Sequence, residues 1–160
     1  MNNDERFMKE ALKEAAKAAL KGEVPVGCVI VKDGKILARG YNKRETSQHV
    51  FHHAEMVAID KACRKLGSWR LDDCVMYVTL EPCAMCAGTM IQSRLPKVVY
   101  GAKEPKSGVH TSITNLFSLP FNHQVEVVGG VLENESSKLL KDFFRELRNQ
   151  FALNKPDSVI

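Results

Sequence analysis

Apolar residues recur at helical spacing near the start of this 160-residue chain and stop at a glycine. A face repeated every three to four positions predicts an amphipathic helix that packs on a sheet. Asn3 or Asp4 would cap this helix, and Gly22 would end it. Its apolar positions are Phe7, Met8, Ala11, Leu12, Ala15, Ala16, Ala19 and Leu20.

The spacing changes after Gly22. Residues 24–31 form a short run rich in β-branched side chains, which is typical of a buried strand. Asp33 and Gly34 follow, and this pair favours a tight hairpin turn. Residues 35–41 then predict a returning strand, so the first two strands are expected to be antiparallel.

Beyond residue 41 the pattern alternates between loops, helices and strands. Residues 42–52 are polar and lack periodicity, which predicts a loop. The elements after it, read from periodicity and from glycine and proline breaks, are helix 53–66, strand 75–80, helix 83–93, strand 97–100, a loop at 102–110, a helical turn at 113–117, strand 124–128 and helix 136–151.

This order of elements predicts an α/β fold. Helices between the later strands imply parallel crossovers, whereas the hairpin is antiparallel. We therefore expect a three-layer α/β/α domain with a mixed five-stranded sheet and helices on both faces. Residues 1–151 would form this single domain, and residues 152–160 a disordered tail.

The amino-acid composition excludes fewer classes of protein than the pattern of apolar and polar positions does. The chain is 44% hydrophobic and 26% charged, and its net charge of +4 permits an anionic partner such as RNA without requiring one. No apolar run predicts a signal peptide or a membrane span, so we expect a cytoplasmic protein with no membrane partner. Its five cysteines are then thiols or metal ligands rather than disulfides.

Two short segments carry candidate chemistry. His53 opens one predicted helix, and Cys83 and Cys86 stand three residues apart at the start of another. Residues three apart share one face of a helix, and the positive end of the helix dipole favours thiolates. If the two helix starts lie side by side, these residues converge on a zinc ion as three ligands. Three ligands leave the fourth tetrahedral position free, which is typical of a catalytic site.

Glu55 lies two residues after His53, so on a regular helix it would point roughly 200° away. Its side chain must reach back towards the helix start, where it would stand beside the metal as a proton carrier rather than a ligand. His53-Ala54-Glu55 and Pro82-Cys83-Ala84-Met85-Cys86 together match the H-x-E and P-C-x-x-C signature of zinc deaminases. The alternative is a zinc knuckle whose fourth ligand is one of four histidines: His49, His52, His110 and His123.

With these motifs, the sequence resembles the bacterial tRNA adenosine deaminases from residue 7 to about residue 148. The likeness is closest at residues 80–88, with shorter matches at 24–27, 40–42, 68–71, 93–94, 98–102, 121–123 and 143–145. It implies a cytidine deaminase-like fold with one zinc per chain, held by His53, Cys83 and Cys86. The implied reaction is hydrolysis of the wobble adenosine of a tRNA anticodon to inosine, with Glu55 moving the protons.

The same resemblance implies contacts with substrate and partners. The backbone near Ala54 and Ala84 would border the water and the base, and Asn42 would line the pocket. Asn122, His123 and Phe144 would meet the splayed anticodon nucleotides, although Phe144 also fits an apolar core and His123 an ordinary loop. The partners would be a tRNA anticodon stem-loop, water as co-substrate, and a second copy of the chain in a homodimer. The substrate-binding candidates are Asn42, Ala54, Pro82, Ala84, Glu104, Asn122, His123 and Phe144.

Three departures from the family pattern lie around the expected pocket. Residues 49–52 read His-Val-Phe-His where a Pro-Thr-Ala-like run is common. Glu104 stands where the family usually has Asp, and the loop at 108–112 lacks a second glycine. These departures motivate an alternative, a deaminase of a free base or nucleoside such as guanine, cytosine or cytidine. A non-enzymatic RNA-binding zinc module is the other alternative.

Overall fold

A computed structural model of the chain describes residues 1–154, and the predicted order of helices and strands is confirmed with one added helix. The helices are α1 (Asn3–Leu20), α2 (Arg44–Ser47), α3 (Ala54–Leu66), α4 (Ala84–Gln92) and α5 (Glu133–Leu153). The strands are β1 (Gly27–Lys32), β2 (Lys35–Tyr41), β3 (Cys74–Leu80), β4 (Lys97–Ala102) and β5 (Glu126–Val128), and a 3-10 turn covers Leu116–Ser118.

The five strands form one mixed sheet in the order β2-β1-β3-β4-β5. β1 is antiparallel to both β2 and β3, whereas β3, β4 and β5 run parallel. Asp33 and Gly34 form the turn between β1 and β2 with φ angles of 53° and 73°, the positive values that a tight hairpin needs. Because β3 and β4 are parallel, their carboxyl ends share one edge of the sheet, and α4 follows β3 at that edge.

Helices cover both faces of the sheet, which confirms the predicted three-layer α/β/α architecture. On one face, α3 and α4 bury side chains such as Met90 against strand residues such as Ile30. On the other face, α1 buries Phe7 against Val29, and α5 contacts α1 and β4. Successive strand residues point to opposite faces, so the neighbours Val29 and Ile30 enter different cores.

The first helix differs from the prediction at its start and in its buried face. Asn2, one residue before the predicted caps, is the cap, and its Oδ1 accepts a hydrogen bond from the Glu5 N–H at 2.8 Å. The buried apolar face is narrower than the periodicity indicated, since Ala16 is exposed and Leu20 is 89% exposed. Ala18, outside the predicted set, is fully buried.

Several boundaries shift where backbone hydrogen bonding is interrupted. β1 begins at Gly27 instead of residue 24, because Pro25 has no N–H and the Val26 N–H bonds back to the Val24 carbonyl at 2.9 Å. β5 begins two residues later than predicted, and β4 continues two residues further. The predicted helical turn at 113–117 is a 3-10 turn at Leu116–Ser118.

Two segments contain more helix than predicted, one just before α3 and one at the C-terminal end of the described residues. Residues 42–52 are not all loop, because α2 forms within them. α5 begins three residues earlier than predicted and reaches Leu153, so the expected tail is helical at residues 152 and 153; the tail from residue 155 onward lies outside the described residues. Within residues 1–154, no helix combines the length and apolar character needed to cross a membrane.

Gly27 marks a direct backbone contact between α1 and β1. A Cβ at this position would lie 2.0 Å from the Ala11 carbonyl oxygen and 2.3 Å from the Ala15 nitrogen. Gly27→Ala should therefore lower the free energy of unfolding by about 3 kcal/mol, because α1 must move off the sheet. Urea denaturation measures this change.

The matched control for this prediction is Gly88→Ala. Gly88 lies inside α4 with no atom within 4 Å of an added Cβ. Alanine suits a helix interior better than glycine by about 1 kcal/mol. We expect this variant to equal or slightly exceed the wild type in stability, and equal losses in both variants would contradict the contact at Gly27.

Candidate active site

The two motifs meet at the edge of the sheet, where α3 and α4 begin. His53 is the N-cap residue of α3, Cys83 is the N-cap residue of α4, and Cys86 follows in the first turn of α4. Their ligand atoms all lie within 4.8 Å of one another, and His53 Nδ1 is 3.6 Å from both sulfurs. The two helix starts therefore bring one imidazole and two thiols together.

The cluster has the dimensions of a tetrahedral zinc site. With Zn–S bonds of about 2.3 Å and Zn–N bonds of about 2.05 Å, tetrahedral angles separate nitrogen from sulfur by about 3.6 Å. Both nitrogen–sulfur distances in the cluster are 3.6 Å. One nitrogen and two sulfur donors also suit zinc better than magnesium or calcium, which prefer oxygen. The residues present thus fit a zinc ion.

Among residues 1–154, no fourth His, Cys, Asp or Glu belongs to the cluster. The histidines of the zinc-knuckle alternative make other contacts. His52 is hydrogen-bonded to a serine of α2 at 2.6 Å, and His110 to a tyrosine of β4 at 2.8 Å. His123 donates to a main-chain carbonyl at 2.7 Å, and the His49 ring packs against the His52 ring at a tilt of 45°, with 4.5 Å between ring centroids. The cluster therefore has the three-ligand composition of catalytic zinc sites.

Proton sharing within the cluster favours one thiolate. The hydrogen bond with Cys86, together with that from His53, lowers the pKa of Cys83 to about 4 against the opposing effect of burial. The hydrogen bond with Cys83 raises the pKa of His53. The pKa of Cys86 is raised, first because its thiol donates to Cys83 and then because it is buried. Cys83 is thus the thiolate of the pair, and Cys86 holds the proton.

Glu55 is the candidate acid–base group of this site. It is 4% exposed and lines a cavity beside His53 and Cys83. Burial raises the pKa of its carboxyl, while a hydrogen bond from its own main-chain N–H opposes the shift. Glu55 therefore holds a proton more readily than an exposed glutamate does.

The cavity beside the cluster has a volume of about 230 Å³. Pockets for drug-sized ligands measure roughly 300–1,000 Å³, so this cavity suits a single base. The Asn42 amide in its wall also shapes the backbone: it donates to the Val24 carbonyl at 3.2 Å and accepts from the Arg44 N–H at 3.1 Å. The predicted site residues that line the cavity are Asn42, His53, Ala54, Glu55, Cys83, Glu104 and Phe144.

Phe144 lies between this cavity and an apolar groove on the surface of α5. Its side chain is 41% exposed, so the alternative of core packing is wrong for this residue. It also lines an apolar groove along α5 with Leu147, Arg148 and Phe151. The cavity and the groove therefore share one aromatic side chain.

Four predicted substrate contacts are not among the residues that line the cavity. Pro82 is buried and its carbonyl accepts the Val109 N–H at 3.0 Å, while Ala84 is exposed at the first position of α4. Asn122 and His123 precede β5 at the opposite edge of the sheet, where His123 contacts the backbone between α4 and β4. A contact of Asn122 and His123 with RNA stays a prediction.

Several further residues line the cavity but belong to neither motif. Two of the additional lining residues, Leu80 and Glu81, could have been predicted, because they directly precede the cysteine motif. Arg44 is a third, since it lies in the segment that leads to His53. The additional lining residues are Val24, Val26, Arg44, Leu80, Glu81 and Ser107.

The buried carboxyl of Glu23 makes the free energy of unfolding of the protein depend on pH. Its carboxylate is 1% exposed and accepts hydrogen bonds from the N–H groups of Glu45 and Thr46 and from the Thr46 hydroxyl. Burial raises the pKa of the Glu23 carboxyl, but these hydrogen bonds outweigh burial and lower it. Such a carboxyl stabilises the fold above its unfolded pKa of about 4.3, and the contribution disappears as the pH falls through the folded pKa.

Glu23→Gln should therefore be less stable than the wild type at about pH 7, and the gap should narrow in acid below about pH 4. Urea denaturation at about pH 7, 5 and 3 gives the free energy of unfolding of both proteins. Glu146→Gln, on the exposed surface of α5, is the control and should show no such gap. A gap for Glu23→Gln that stays constant or widens in acid would contradict the expected sign.

Comparisons with known proteins agree with this site. The sequence model of the family described as MafB19-like deaminase matches residues 2–148. The tRNA-specific adenosine deaminase of Bacillus subtilis (strain 168) is 56% identical over 151 residues, which is 94% of this chain and 94% of that protein. A solved structure from studies of A-to-I editing by tRNA:A34 deaminases at the wobble position of transfer RNA is 42% identical, with a TM-score of 0.82, and the match covers 84% of this chain and 99% of that chain.

A guanine deaminase from Bacillus subtilis shares the fold at lower similarity. Its structure has a TM-score of 0.60 and 32% identity, and the match covers 93% of this chain and 95% of that chain. The fold is therefore common to deaminases of different substrates, whereas identity is higher to the tRNA-specific enzyme. The expected family is confirmed: the chain matches the MafB19-like deaminase model over residues 2–148 and belongs to the tRNA-specific adenosine deaminases.

Proposed function

We propose that this enzyme hydrolyses adenosine to inosine at the wobble position of a tRNA anticodon loop. The observation that carries the proposal is the cluster of His53, Cys83 and Cys86 with the buried Glu55 at a base-sized cavity. The choice of tRNA is supported by the 56% identity to a tRNA-specific adenosine deaminase over nearly the whole chain.

The reaction breaks the C6–N bond of adenine and forms a C6–O bond with the oxygen of water. His53, Cys83 and Cys86 would hold one zinc ion, which supplies hydroxide at neutral pH by lowering the pKa of water. Glu55 carries the two protons of water, one to N1 of the base and one to the departing amino group, which leaves as ammonia. Its raised pKa suits it to both taking and returning a proton.

The RNA would place one base in the cavity and its neighbours on the surface. Anticodon-loop bases are single-stranded, so extruding one of them costs little. Phe144 at the cavity mouth offers a face on which a flanking base can stack. Arg44 in the cavity wall and Arg148 in the groove on α5 offer positive charges for phosphates.

The same proposal includes a single domain of residues 1–151 and a homodimer in the cytoplasm. Exposed apolar side chains around α3 support the homodimer: Phe51 is 47% exposed, Trp69 is 59% exposed, and the half-buried Met56 lines a surface cavity with Phe51. Light scattering after size-exclusion chromatography should give twice the mass of one chain. A mass equal to one chain at all concentrations would contradict the homodimer.

The substrate assignment is tested with zinc-loaded protein and four substrates. These are an anticodon stem-loop with A at the wobble position, the same stem-loop with G there, free guanine and free cytidine. We expect ammonia release and inosine formation with the A-containing stem-loop alone. Turnover of a free base or nucleoside alone would overturn the tRNA assignment, and binding of the stem-loop without turnover would favour an RNA-binding module.

A further inference from the structure

Two buried glutamates outside the ligand cluster hold the loops that wall the cavity. Glu23 is 1% exposed and Glu81 is 2% exposed. Across residues 1–154, neither forms an ion pair with a basic group. A buried carboxylate without a counter-ion persists only if hydrogen bonds replace the water it has lost. In both residues those hydrogen bonds come from the loops of the cavity.

Glu81 lies between β3 and α4, immediately before the Pro-Cys of the cysteine motif. Its Oε1 accepts hydrogen bonds from the Glu104 N–H at 3.1 Å and from the Ser112 hydroxyl at 2.5 Å. Its Oε2 accepts the N–H groups of His110, Thr111 and Ser112 at 2.9, 3.0 and 3.3 Å. These donors tie the loop after β4 to the start of the cysteine motif.

Gly108 shows how closely this loop surrounds the carboxylate. A Cβ at Gly108 would lie 2.4 Å from Cδ of Glu81 and 2.6 Å from its Oε1. The loop thus has no room for a side chain on the side that faces Glu81. The shape of the loop and the position of the carboxylate therefore depend on each other.

Glu23 does the same for the segment that contains α2. Its Oε1 accepts the Glu45 N–H at 3.0 Å, and its Oε2 accepts the Thr46 N–H and the Thr46 hydroxyl, each at 2.6 Å. The N-cap residue of α2, Lys43, makes no side-chain capping bond. Glu23 therefore satisfies the second and third N–H groups of α2 from a distant part of the chain.

Each anchored loop carries part of the cavity wall. Arg44 belongs to α2, and Glu104 and Ser107 belong to the loop after β4. The ligand cluster and Glu55 stand at the starts of α3 and α4, outside both loops. Loosening an anchor therefore displaces the wall and leaves the reacting groups in place.

We propose that Glu23 and Glu81 are positioning residues that fix two walls of the cavity for its RNA substrate. The inference rests on the proposed function. Glu81 also lines the cavity, but the oxygens of both carboxylates are taken up by loop donors, so each residue acts through the loop that it holds. Losing either anchor weakens capture of the stem-loop more than it slows the chemical step.

Glutamine at either position preserves the size of the side chain but points an NH₂ group at N–H donors. The test variants are therefore Glu23→Gln and Glu81→Gln, with Thr46→Ala and Ser112→Ala as milder changes that each remove one hydroxyl donor. The matched control is Glu14→Gln, because Glu14 is 3% exposed but contacts Lys17 and Arg39 instead of a cavity loop.

Hydrogen exchange of the zinc-loaded proteins, read by mass spectrometry, tests the anchors directly. Glu81→Gln should lose protection across residues 104–112, Glu23→Gln at residues 45 and 46, and Glu14→Gln in neither segment. In steady-state assays with the stem-loop, KM should rise about tenfold in both anchor variants, since one charged hydrogen bond is worth about 1.4 kcal/mol or more. The kcat value and the zinc content should stay close to those of the wild type.

Three results would overturn this inference or the proposal beneath it. Unchanged protection in the matching loop of both the glutamine and the alanine variant would overturn the anchoring. A fall in kcat at constant KM would overturn the positioning role. A wild type inactive on the stem-loop would instead overturn the proposed function, and the exchange data would still decide whether the two carboxylates hold the loops.

Discussion

Replacing Glu55 with alanine should remove almost all turnover while zinc stays bound. General acid–base catalysis is worth about 10²–10⁴-fold, so kcat for the stem-loop should fall by a factor in that range. The change leaves His53, Cys83 and Cys86 untouched, so the metal keeps its three protein ligands. Single-turnover inosine formation and elemental analysis of the same sample measure the two effects.

Two further variants make the Glu55 result specific. Glu55→Gln keeps the volume of the buried side chain and should be as inactive as the alanine variant, because an amide does not take up a proton at neutral pH. Glu14→Gln changes another buried carboxylate, on α1, and should keep full turnover. Retained activity in Glu55→Ala would contradict the proposed role, and loss of zinc with activity would mean that Glu55 supports the ligands instead.

Cys83→Ala should lose both metal and turnover. The wild type should hold about one zinc per chain and the variant about none after dialysis, since removing a ligand weakens a structured metal site severely. A metal that binds only the folded chain also stabilises it, so the midpoint of thermal unfolding should fall. Elemental analysis and thermal unfolding with and without a chelator measure both effects.

The control for the metal prediction is Cys63→Ala. Cys63 is partly buried, and its thiol donates to the Trp69 carbonyl at 3.8 Å, away from the cluster. This variant should keep its zinc and its sensitivity to the chelator. A Cys83→Ala protein with full zinc content, or a metal-free wild type with full activity, would contradict the proposed ligands.

The hairpin and the two helix starts could be predicted because their causes are local. The turn at Asp33 and Gly34 needs two residues that accept positive φ, and adjacent residues supply them. The ligand cluster follows from His53 and Cys83 each standing at the start of a helix that follows a loop or a strand. Spacing along the chain was enough to identify the three ligands, whereas their convergence depends on α3 and α4 beginning side by side in the fold.

Elements with distant causes could not be predicted in the same way. Residues 42–52 resembled a loop because the carboxylate that supports α2 lies in Glu23, 22 residues before the Glu45 N–H that it accepts. The position of the cavity wall at Glu104 depends likewise on a hydrogen bond to Glu81, 23 residues earlier in the chain. The spacing of apolar residues depends only on neighbours along the chain, so it cannot predict hydrogen bonds between residues that are distant in sequence.

The positions of Asn122 and His123 show a second limit. A family resemblance gives the identity of a segment but not the edge of the sheet at which it lies. Because β4 and β5 are parallel, the chain must return across the sheet between them, and the residues just before β5 end at its amino-terminal edge. The cavity lies at the other edge, beside the carboxyl end of β3.

Most of the donors that hold the two cavity loops belong to the main chain. Four N–H groups and one hydroxyl surround Glu81, and two N–H groups and one hydroxyl surround Glu23. Every residue except proline has such an N–H group. Evolution or protein engineering can therefore exchange the side chains that make none of these hydrogen bonds, while the backbone donors stay in place. Proline at an anchoring position and any side chain at Gly108 are substitutions that this frame does not accept.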